Sequence, residues 1–400
     1  MRLTMREKKA LVKATASRYR RSSKGAKKKI LDEFVECTGY NRNYASVVLS
    51  KYGKGVWNGK LRIVGDITKT HRRRRERYYD DKVVAALRKV WAMLDWICGK
   101  RLAAVIREVV PILERAGEIR LDRQTREKVL RISAASIDRL LASDRKKLQI
   151  KGRSHTKPGS LLKSQIPIRR FDEWDEGKPG FVEVDLVGHD GGNSSGEFCF
   201  TLNVTDIATK WTETWALKNK AQVWVFKALA HIIKIIPFAL LGIDSDNGSE
   251  FINAHLLRYC QQHSIVFTRA RPYRKNDNCH VEERNNSVVR RAVGYHRYDT
   301  DDQLNTLNEL YSLLRLYTNY FQPVMKLVRK ERVGSRVKKI YDKPQTPYHR
   351  VLASPDVSDL QKKKLRSEYT RLNPAQLKRD ITALQDKLAT SGRKSERKRA

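Results

Sequence analysis

The sequence has few cysteines and none in pairs: Cys37, Cys98, Cys199, Cys260 and Cys279 are scattered along 400 residues without a CxxC word. A zinc module or a disulfide framework needs ligands at short fixed spacings, so neither is expected, and the thiols read as reduced fillers. Apolar runs are short. None approaches the roughly 20 residues that a membrane-spanning helix requires, and the first residues lack the layout of a signal peptide. The expectation is a soluble protein of the cell interior. Acidic charge is the third scarcity, with 44 Asp+Glu against 83 Lys+Arg and a formal net charge of +39 at pH 7. A surplus of that size repels itself unless a polyanion lies beside it, which makes nucleic acid the first candidate partner.

What is present is a chain too long for one core to organise, so a multidomain protein with helical, α+β and α/β parts is expected. From Thr4 to Tyr52 helix formers dominate, with breaks at Ser22-Ser23 and Thr38-Gly39-Tyr40. Ile30, Leu31, Phe34 and Val35 before the second break, and Tyr44, Val47 and Val48 after it, recur at helical spacing. Over 1–65 this describes either a helix-turn-helix DNA-binding unit or a plain helical hairpin with a basic outer face. In the first case Asn41, Arg42 and Asn43 open the recognition helix. Arg72, Arg73, Arg74 and Arg75 form a run suited to phosphate contact, ahead of helical stretches from Asp80 to Cys98 and from Arg101 to Val110. Gln124 to Leu148 offers a further helix pair, broken near Ile132-Ser133, with Ser133 as N-cap and Ile137, Leu140 and Leu141 as its apolar side. Ser136, Arg139 and Lys146 fall towards its exposed side, so 66–150 reads as a second helical DNA-binding domain.

Residues 151–175 are basic, with Ser, Gly and Pro and little periodicity, as expected of a linker. Beyond it the texture turns to strands: Phe181 to Val187, Glu197 to Val204 and Lys210 to Leu217, joined by turn-forming segments that favour antiparallel pairing. Asn219 to Ile236 carries Val223, Phe226, Leu229, Ala230 and Ile233 at helical spacing and stops at Pro237. Phe238 to Ile243 is continuously apolar, as in a strand buried on both faces. A helix from Phe251 to His263, a strand from Ile265 to Thr268, a polar loop and a helix to Ala292 complete the region. Three antiparallel strands followed by helix, strand, helix, strand and helix is the order of an RNase H-like domain, expected over 176–300, although other α+β folds share it.

Phosphodiester cleavage needs an activated oxygen, neutralised phosphate charge and a stabilised leaving oxygen, which two cations about 4 Å apart supply together. Mg²⁺ and Mn²⁺ take hard oxygen ligands, so the signature is a set of carboxylates brought to one place. Asp185 in the first strand, Asp246 after the fourth and Glu282 on the last helix are the candidates. Sixty residues separate the first two and 35 the second pair. Glu183 and Asp244 each stand two residues before a candidate acid and share its face if the strand is regular, which suits hydrogen-bonded supporting roles. His189 and His280 read as surface or packing residues, and Trp211, Trp215 and Trp224 as packing. Lys275, Arg284, Arg290 and Arg291 are placed to meet phosphates near the acids or to form a solvated rim.

The words around these acids, Asp246-Asn247-Gly248-Ser249-Glu250-Phe251 and Val281-Glu282-Glu283-Arg284-Asn285, resemble the D-N-G-x-x-F and V-E-x-x-N words of the DDE integrase and transposase superfamily. Pro179 to Val187 is similar to its first catalytic strand and Arg271 to Glu282 to its loop into the catalytic helix, so the likeness covers 151–327. The resemblance implies a bacterial insertion-sequence transposase: an RNase H-like core, Mg²⁺ or Mn²⁺ as a pair of ions on Asp185, Asp246 and Glu282, and DNA strand transfer. It further implies recognition of terminal inverted repeats by the N-terminal helices, a homodimer or higher assembly on double-stranded DNA, and a cytoplasmic, nucleoid-associated location. The His/Cys zinc module of the retroviral relatives is missing, so DNA recognition falls to the helical units.

Downstream, Leu304, Leu307, Leu310, Leu314 and Tyr317 mark a helix, and the basic, alternating segment 324–340 a small strand-rich DNA-binding module, together spanning 301–357. Asn373-Pro374 starts a C-terminal helix within 358–400, whose stripe of Leu377, Ile381, Leu384 and Leu388 either packs on the core or pairs protomers, ahead of a basic tail. Competing readings are an RNase H-like structure-specific nuclease and a catalytically silent DNA-binding regulator.

Overall fold

The computed structural model describes residues 3–58, 61–64, 77–148, 177–245, 251, 254–269 and 279–397, with backbone alone at 55–58, 61–64, 254, 255, 330, 333, 336 and 393–397. The four-arginine run Arg72 to Arg75, the linker 151–175, Asp246 and Lys275 lie outside the described residues. The chain forms two compact units, Met1–Tyr78 and Tyr79–Ala400.

The first unit holds α1 (Met5–Arg21), α2 (Lys24–Thr38), α3 (Arg42–Lys51) and a short hairpin of β1 (Gly55–Asn58) and β2 (Leu61–Val64). Each helix starts where its sequence offers a cap. Thr4 and Glu7 form a reciprocal capping box, Ser23 accepts the Ala26 N–H, and Asn41 accepts the Asn43 N–H. Gly39 takes the left-handed conformation that ends α2, with its N–H on the Val35 carbonyl. Val12, Ala16 and Tyr19 of α1, Ile30, Leu31 and Phe34 of α2, and Ala45, Val48 and Leu49 of α3 make the core. The expected stripe on α3 is therefore rotated: Val48 is buried, but Tyr44 and Val47 are 50% and 43% exposed. Ala45 takes the inward position because its small side chain lets α3 approach α1 closely.

The second unit begins with α4 (Asp81–Met93), α5 (Gly99–Arg115), α6 (Arg123–Leu130), α7 (Ala134–Leu140) and α8 (Ala142–Lys147), with Ser133 capping α7 as expected. Next come β3 (Phe181–Gly188), β4 (Phe200–Asp206), β5 (Thr212–Leu217), α9 (Gln222–Ile235), β6 (Gly242–Ser245), α10 (Ala254–Gln262) and β7 (Val266–Arg269). After them follow α11 (Cys279–Arg284), a π-helical turn (Asn285–Arg290), α12 (Arg291–Val293) and α13 (Asp301–Phe321). The chain closes with β8 (Leu327–Val333), β9 (Arg336–Tyr341), α14 (Pro347–Ala353), α15 (Asp359–Arg371) and α16 (Pro374–Arg397). Leu87, Leu102, Ile106, Leu113, Ile137 and Leu141 share one buried cluster with Leu307, Leu310, Leu377, Ile381 and Leu388. The helices of 79–148 thus pack with the C-terminal helices, within the second compact unit. The α16 stripe packs on this core.

The sheet has the order β5-β4-β3-β6-β7, antiparallel across β5, β4 and β3 and parallel across β3, β6 and β7. The fourth strand begins later than the apolar run predicts, at Gly242 instead of Phe238. The Gly180 carbonyl takes the N–H groups of both Leu241 and Gly242, so regular pairing starts only there. Gly180 sits at φ +115°, and a Cβ on it would stand 2.3 Å from the Ala239 carbonyl oxygen, so only glycine fits. One face of the sheet is apolar: Val182, Val184, Leu202, Val204, Ile243 and Phe267 pack under α9 and α10. On α9 the buried set is Val225, Ala228, Leu229 and Ile232, and Val223 is exposed. That helix is apolar nearly all round, so the sequence offers two rival stripes and the sheet selects one.

The opposite face is polar, with Glu183, Thr201, Asn203, Thr205, Thr212, Asp244 and Thr268 all buried on it. Its outer strand, β5, is closed by side chains of α13. Asn319 accepts the Thr212 N–H and donates to the Thr212 carbonyl, both at 2.9 Å, and Asn308 makes the matching pair with Ala216 at 2.7 and 3.3 Å. Arg315, between them on the helix, donates to both carboxylate oxygens of buried Glu213 at 3.1 and 3.0 Å. The two asparagines take the place of a sixth strand at Thr212 and Ala216, which blocks strand addition there. Beyond β3, buried His189 hydrogen-bonds the Thr201 hydroxyl, which bonds the Tyr311 hydroxyl of α13, each at 2.7 Å. Burial, and then the nearby Arg290 charge, hold the His189 imidazole down to about 3.

Asn319→Ala should lower the unfolding free energy by about 2–6 kcal/mol in urea titration, since it strands a buried N–H and a buried carbonyl at about 1–3 kcal/mol each. The His189 pair of states gives a pH signature. Below about 6.5 the unfolded imidazole takes a proton that the folded one refuses until about 3, so stability should fall as pH drops through that window, by at most about 1.4 kcal/mol per pH unit. His189→Gln should flatten that slope in parallel denaturation curves.

Candidate active site

Asp185 lies in the middle of β3, half-buried on the polar face, opposite Asn203 of β4 in the antiparallel register. Its carboxylate is held at both oxygens: Oδ1 accepts the Leu186 N–H at 2.8 Å, and Oδ2 accepts Asn285 Nδ2 at 2.5 Å. Asn285 is oriented in turn, because its Oδ1 accepts Asn203 Nδ2 at 2.7 Å. Asn203 also donates to the Val281 carbonyl at 3.4 Å. The chain Asn203, Asn285, Asp185 thus ties two central strands to the helix that carries Glu282.

The start of that helix is held as well. Glu183 is fully buried, and its Oε2 accepts the backbone N–H groups of His280 and Val281, each at 2.9 Å. Lys210, in the left-handed region at φ +64°, ends the β4–β5 turn and brings its Nζ to the His280 ring. Asp206 builds the turn by accepting from Gly180 N, Thr209 N and Thr209 Oγ1 at 2.8, 2.7 and 2.6 Å. Burial pushes the Lys210 ammonium down to about 8, with the Glu183 carboxylate opposing that shift. Asp244, in register with Glu183 on the neighbouring strand, accepts the Thr268 hydroxyl at 2.6 Å. Glu183 and Asp244 thus both take supporting hydrogen bonds.

Helix α11 passes directly into the π-helical turn at Asn285. A wider turn carries one more residue than an α-turn, and such turns recur at functional sites. Val281, Arg284, Val288, Val289 and Val293 are buried here, so the inward stripe ends at Val293 and not at Ala292 as a uniform helical wheel gives. Glu282 and Glu283 are both exposed, and Glu283 forms an ion pair with Arg284 at 3.6 Å.

Residues 175–275 match the family model of the integrase core domain. Over 349 residues the chain is 38% identical to the uncharacterized protein y4rM of Sinorhizobium fredii, an overlap that spans 87% of this chain and 96% of that one. The chain belongs to the DDE integrase and transposase superfamily. Among solved structures, the catalytic core domain of BIV integrase is 16% identical, covers 48% of this chain and 98% of its own, and has a TM-score of 0.30. The HTLV-2 integrase catalytic core domain in complex with magnesium is 13% identical, covers 36% and 90%, and has a TM-score of 0.28. Scores that low leave the fold assignment to the strand order and the family model.

For a divalent metal, the integrase core offers Asp185 and Glu282 as hard oxygen donors on two elements joined by the Asn285 bridge. A carboxylate oxygen accepts more than one bond, and both acids are hard oxygen donors of the kind these ions take, so the donor chemistry fits. Among the described residues no group of three His, Cys, Asp or Glu is gathered, and Asp246, the residue after β6, is outside them. Ser245 pairs with Val184 in parallel register, so the chain leaves β6 beside the strand position just before Asp185.

The residues expected at DNA fall into distinct groups. Asn41 caps α3, Arg42 pairs with Asp32, and Asn43 is exposed. Arg139 is exposed and donates to Ser136 Oγ and the Ala135 carbonyl. Arg290 holds the Gly188 and Gly294 carbonyls, and Arg291 pairs with Asp95 at 2.9 Å. Arg284 needs correction. It is 3% exposed and donates to the Lys210 carbonyl at 3.3 Å, because it lies one α-turn after buried Val281 on the side facing the β4–β5 turn, and a guanidinium so placed cannot reach phosphate. Lys210, Asn203, Asn308, Asn319 and Arg297 carry structural duties that sequence reasoning missed. Arg297 alone donates to the carbonyls of Asn193, Ser195 and Glu197 and pairs with Asp299. Their only sequence cue is an isolated polar residue within an apolar stripe or beside a turn.

Arg284→Gln should lower stability by about 1–3 kcal/mol through lost packing and the lost bond to Lys210. Its DNA affinity should keep the wild-type salt slope, whereas losing a phosphate contact would reduce the slope of log K against log[salt] by about 0.9. Titrations with labelled duplex at several salt concentrations separate the two cases.

Proposed function

We propose that the chain is a DNA transposase that binds the terminal inverted repeats of a mobile element and catalyses cleavage and strand transfer. The observation that carries this reading is the hydrogen bond from Asn285, the last residue of the V-E-x-x-N word, to Asp185 in the central strand. It ties Asp185 to the segment that carries Glu282, and this reading takes both as acids of the triad. Asp185, Asp246 and Glu282 would hold two Mg²⁺ or Mn²⁺ ions, whose charge neutralises the phosphate and lowers the pKa of an attacking hydroxyl. The chain's own part is to fix the acids: Asn285 and the Leu186 N–H orient Asp185, and Glu183 seats the helix of Glu282.

Recognition is assigned to helices and to one ribbon. In the first unit, α3 presents Asn43, Tyr44 and Val47 outward after a three-residue break, which suits a recognition helix in the major groove. In the second unit, Ser136 and Arg139 stand on the outer side of α7. The hairpin of β8 and β9 carries Arg329 and Lys338 paired to Glu331, while Arg332 and Lys339 have no acid partner among the described residues, leaving them for phosphates. No helix among the described residues is long and apolar enough to cross a membrane. Two element ends must be joined in one event, so the active species is a homodimer or larger assembly on double-stranded DNA.

The test uses the full chain and an oligonucleotide bearing one end of the element. Wild type should nick the end in Mg²⁺ or Mn²⁺ and join it to a target plasmid, and Asp185→Asn should bind the same DNA without nicking it. Nicks that never become joined products would instead support the hydrolytic nuclease, and normal nicking by Asp185→Asn would remove the active-site assignment altogether.

A further inference from the structure

We propose that Glu183 is a positioning residue that sets the separation of Asp185 and Glu282 by clamping the start of α11, without itself taking a metal ion. This rests on the functional reading above and deepens it. Glu183 stands two residues before Asp185 and shares its face of the sheet, so a direct place beside the metals is the natural alternative. Its Oε2 is turned to the start of α11. Oε2 accepts both the His280 and Val281 N–H groups, and Val281 is the residue immediately before Glu282.

The first N–H groups of a helix have no partner within it, and they are normally met by a cap from the residues just ahead. Here the cap comes from a strand 97 and 98 residues away in sequence. A carboxylate that is fully buried needs donors or a counter-charge, and this one has two peptide N–H groups with the Lys210 ammonium acting on it. Lys210 grips the His280 ring as Glu183 grips the His280 peptide, so side chain and backbone of one residue are both fixed. One turn later Asn285 reaches Asp185. Glu282 therefore sits between two tethers that both lead to β3, at Glu183 and at Asp185. Two carboxylates that share a cation must hold their spacing, and groups that orient metal ligands typically change affinity by about 10–100-fold when removed.

The experiment is calorimetric Mn²⁺ titration of the full chain, beside duplex DNA binding and end nicking. Glu183→Gln keeps an oxygen acceptor in place and should bind Mn²⁺ within about 3-fold of wild type, because a Gln carbonyl accepts the same two N–H groups. Glu183→Ala should weaken Mn²⁺ about 10–100-fold while leaving duplex DNA affinity unchanged. Should Glu183→Ala fail to fold, His280→Pro serves: proline is tolerated in the first helical turn and deletes one of the two donors, and a several-fold loss of Mn²⁺ affinity is expected. Wild-type Mn²⁺ affinity in Glu183→Ala or His280→Pro overturns the proposal. Equal losses in Glu183→Gln and Glu183→Ala also overturn it, because a metal ligand depends on the charge that Gln lacks. A wild-type chain that neither binds Mn²⁺ nor nicks DNA overturns the functional reading and this inference together.

Discussion

A carboxylate on the inner face of a covered sheet must find donors among its neighbours, and the hydrogen bond from Asn285 to Asp185 meets that need. It demands that α11 and the π-helical turn lie across β3, that Asn203 stand opposite Asp185 to orient the bridging amide, and that α11 start at a fixed height on the sheet. Glu183 supplies the last condition. Much of the second unit can be derived from this requirement, since a sheet with one polar face needs covering elements that are themselves polar at the right points. Helix α13 provides one through Tyr311, whose hydroxyl ends the chain from His189 through Thr201.

The large positive charge and the buried acids answer to the same constraint from opposite sides. Asp206, Glu213 and Glu183 are buried against N–H groups, hydroxyls or cations, where burial alone raises the Asp206 and Glu213 carboxyl pKa values from their ordinary positions. Such acids serve the fold and do little to offset charge presented to solvent. The cations divide as well. Arg284, Arg290, Arg297 and Arg315 are bound to carbonyls or carboxylates inside the second unit, while Arg332, Lys339 and Arg139 remain outward. Formal charge therefore counts cations that burial has already committed to the fold, and burial decides which of them remain at the surface.

The strands and helices of the core were legible because their signals are local. Caps at Thr4, Ser23, Asn41 and Ser133, the glycine at the end of α2 and the alternation of β3 can each be read within a few residues. The integrase core was legible for a different reason, since its words resemble those of a known superfamily over a long stretch. What escaped was non-local. The face of α3 depends on how closely α1 approaches, and the stripe of α9 on which of two apolar sides meets the sheet. Arg284 was misplaced because, three residues after Val281, it stands at the edge of the buried stripe, where a long cation can turn to solvent or, as here, inward to the Lys210 carbonyl.

The closing of β5 shows how fold and site are linked. Asn308 and Asn319 are eleven positions apart, three turns of one helix, and they meet Thr212 and Ala216, four positions apart on an extended strand. At about 1.5 Å per helical residue and about 3.3 Å per strand residue the two spans are roughly 16 and 13 Å, near enough for both side chains to reach. The same helix therefore ends the sheet at its edge and, through Tyr311, covers its polar face. A shift of α13 along β5 would break the asparagine pairs and carry Tyr311 away from Thr201 together. The edge that prevents further strands from adding is thereby coupled to the cover over the strand pair that holds Asp185 and Asn203.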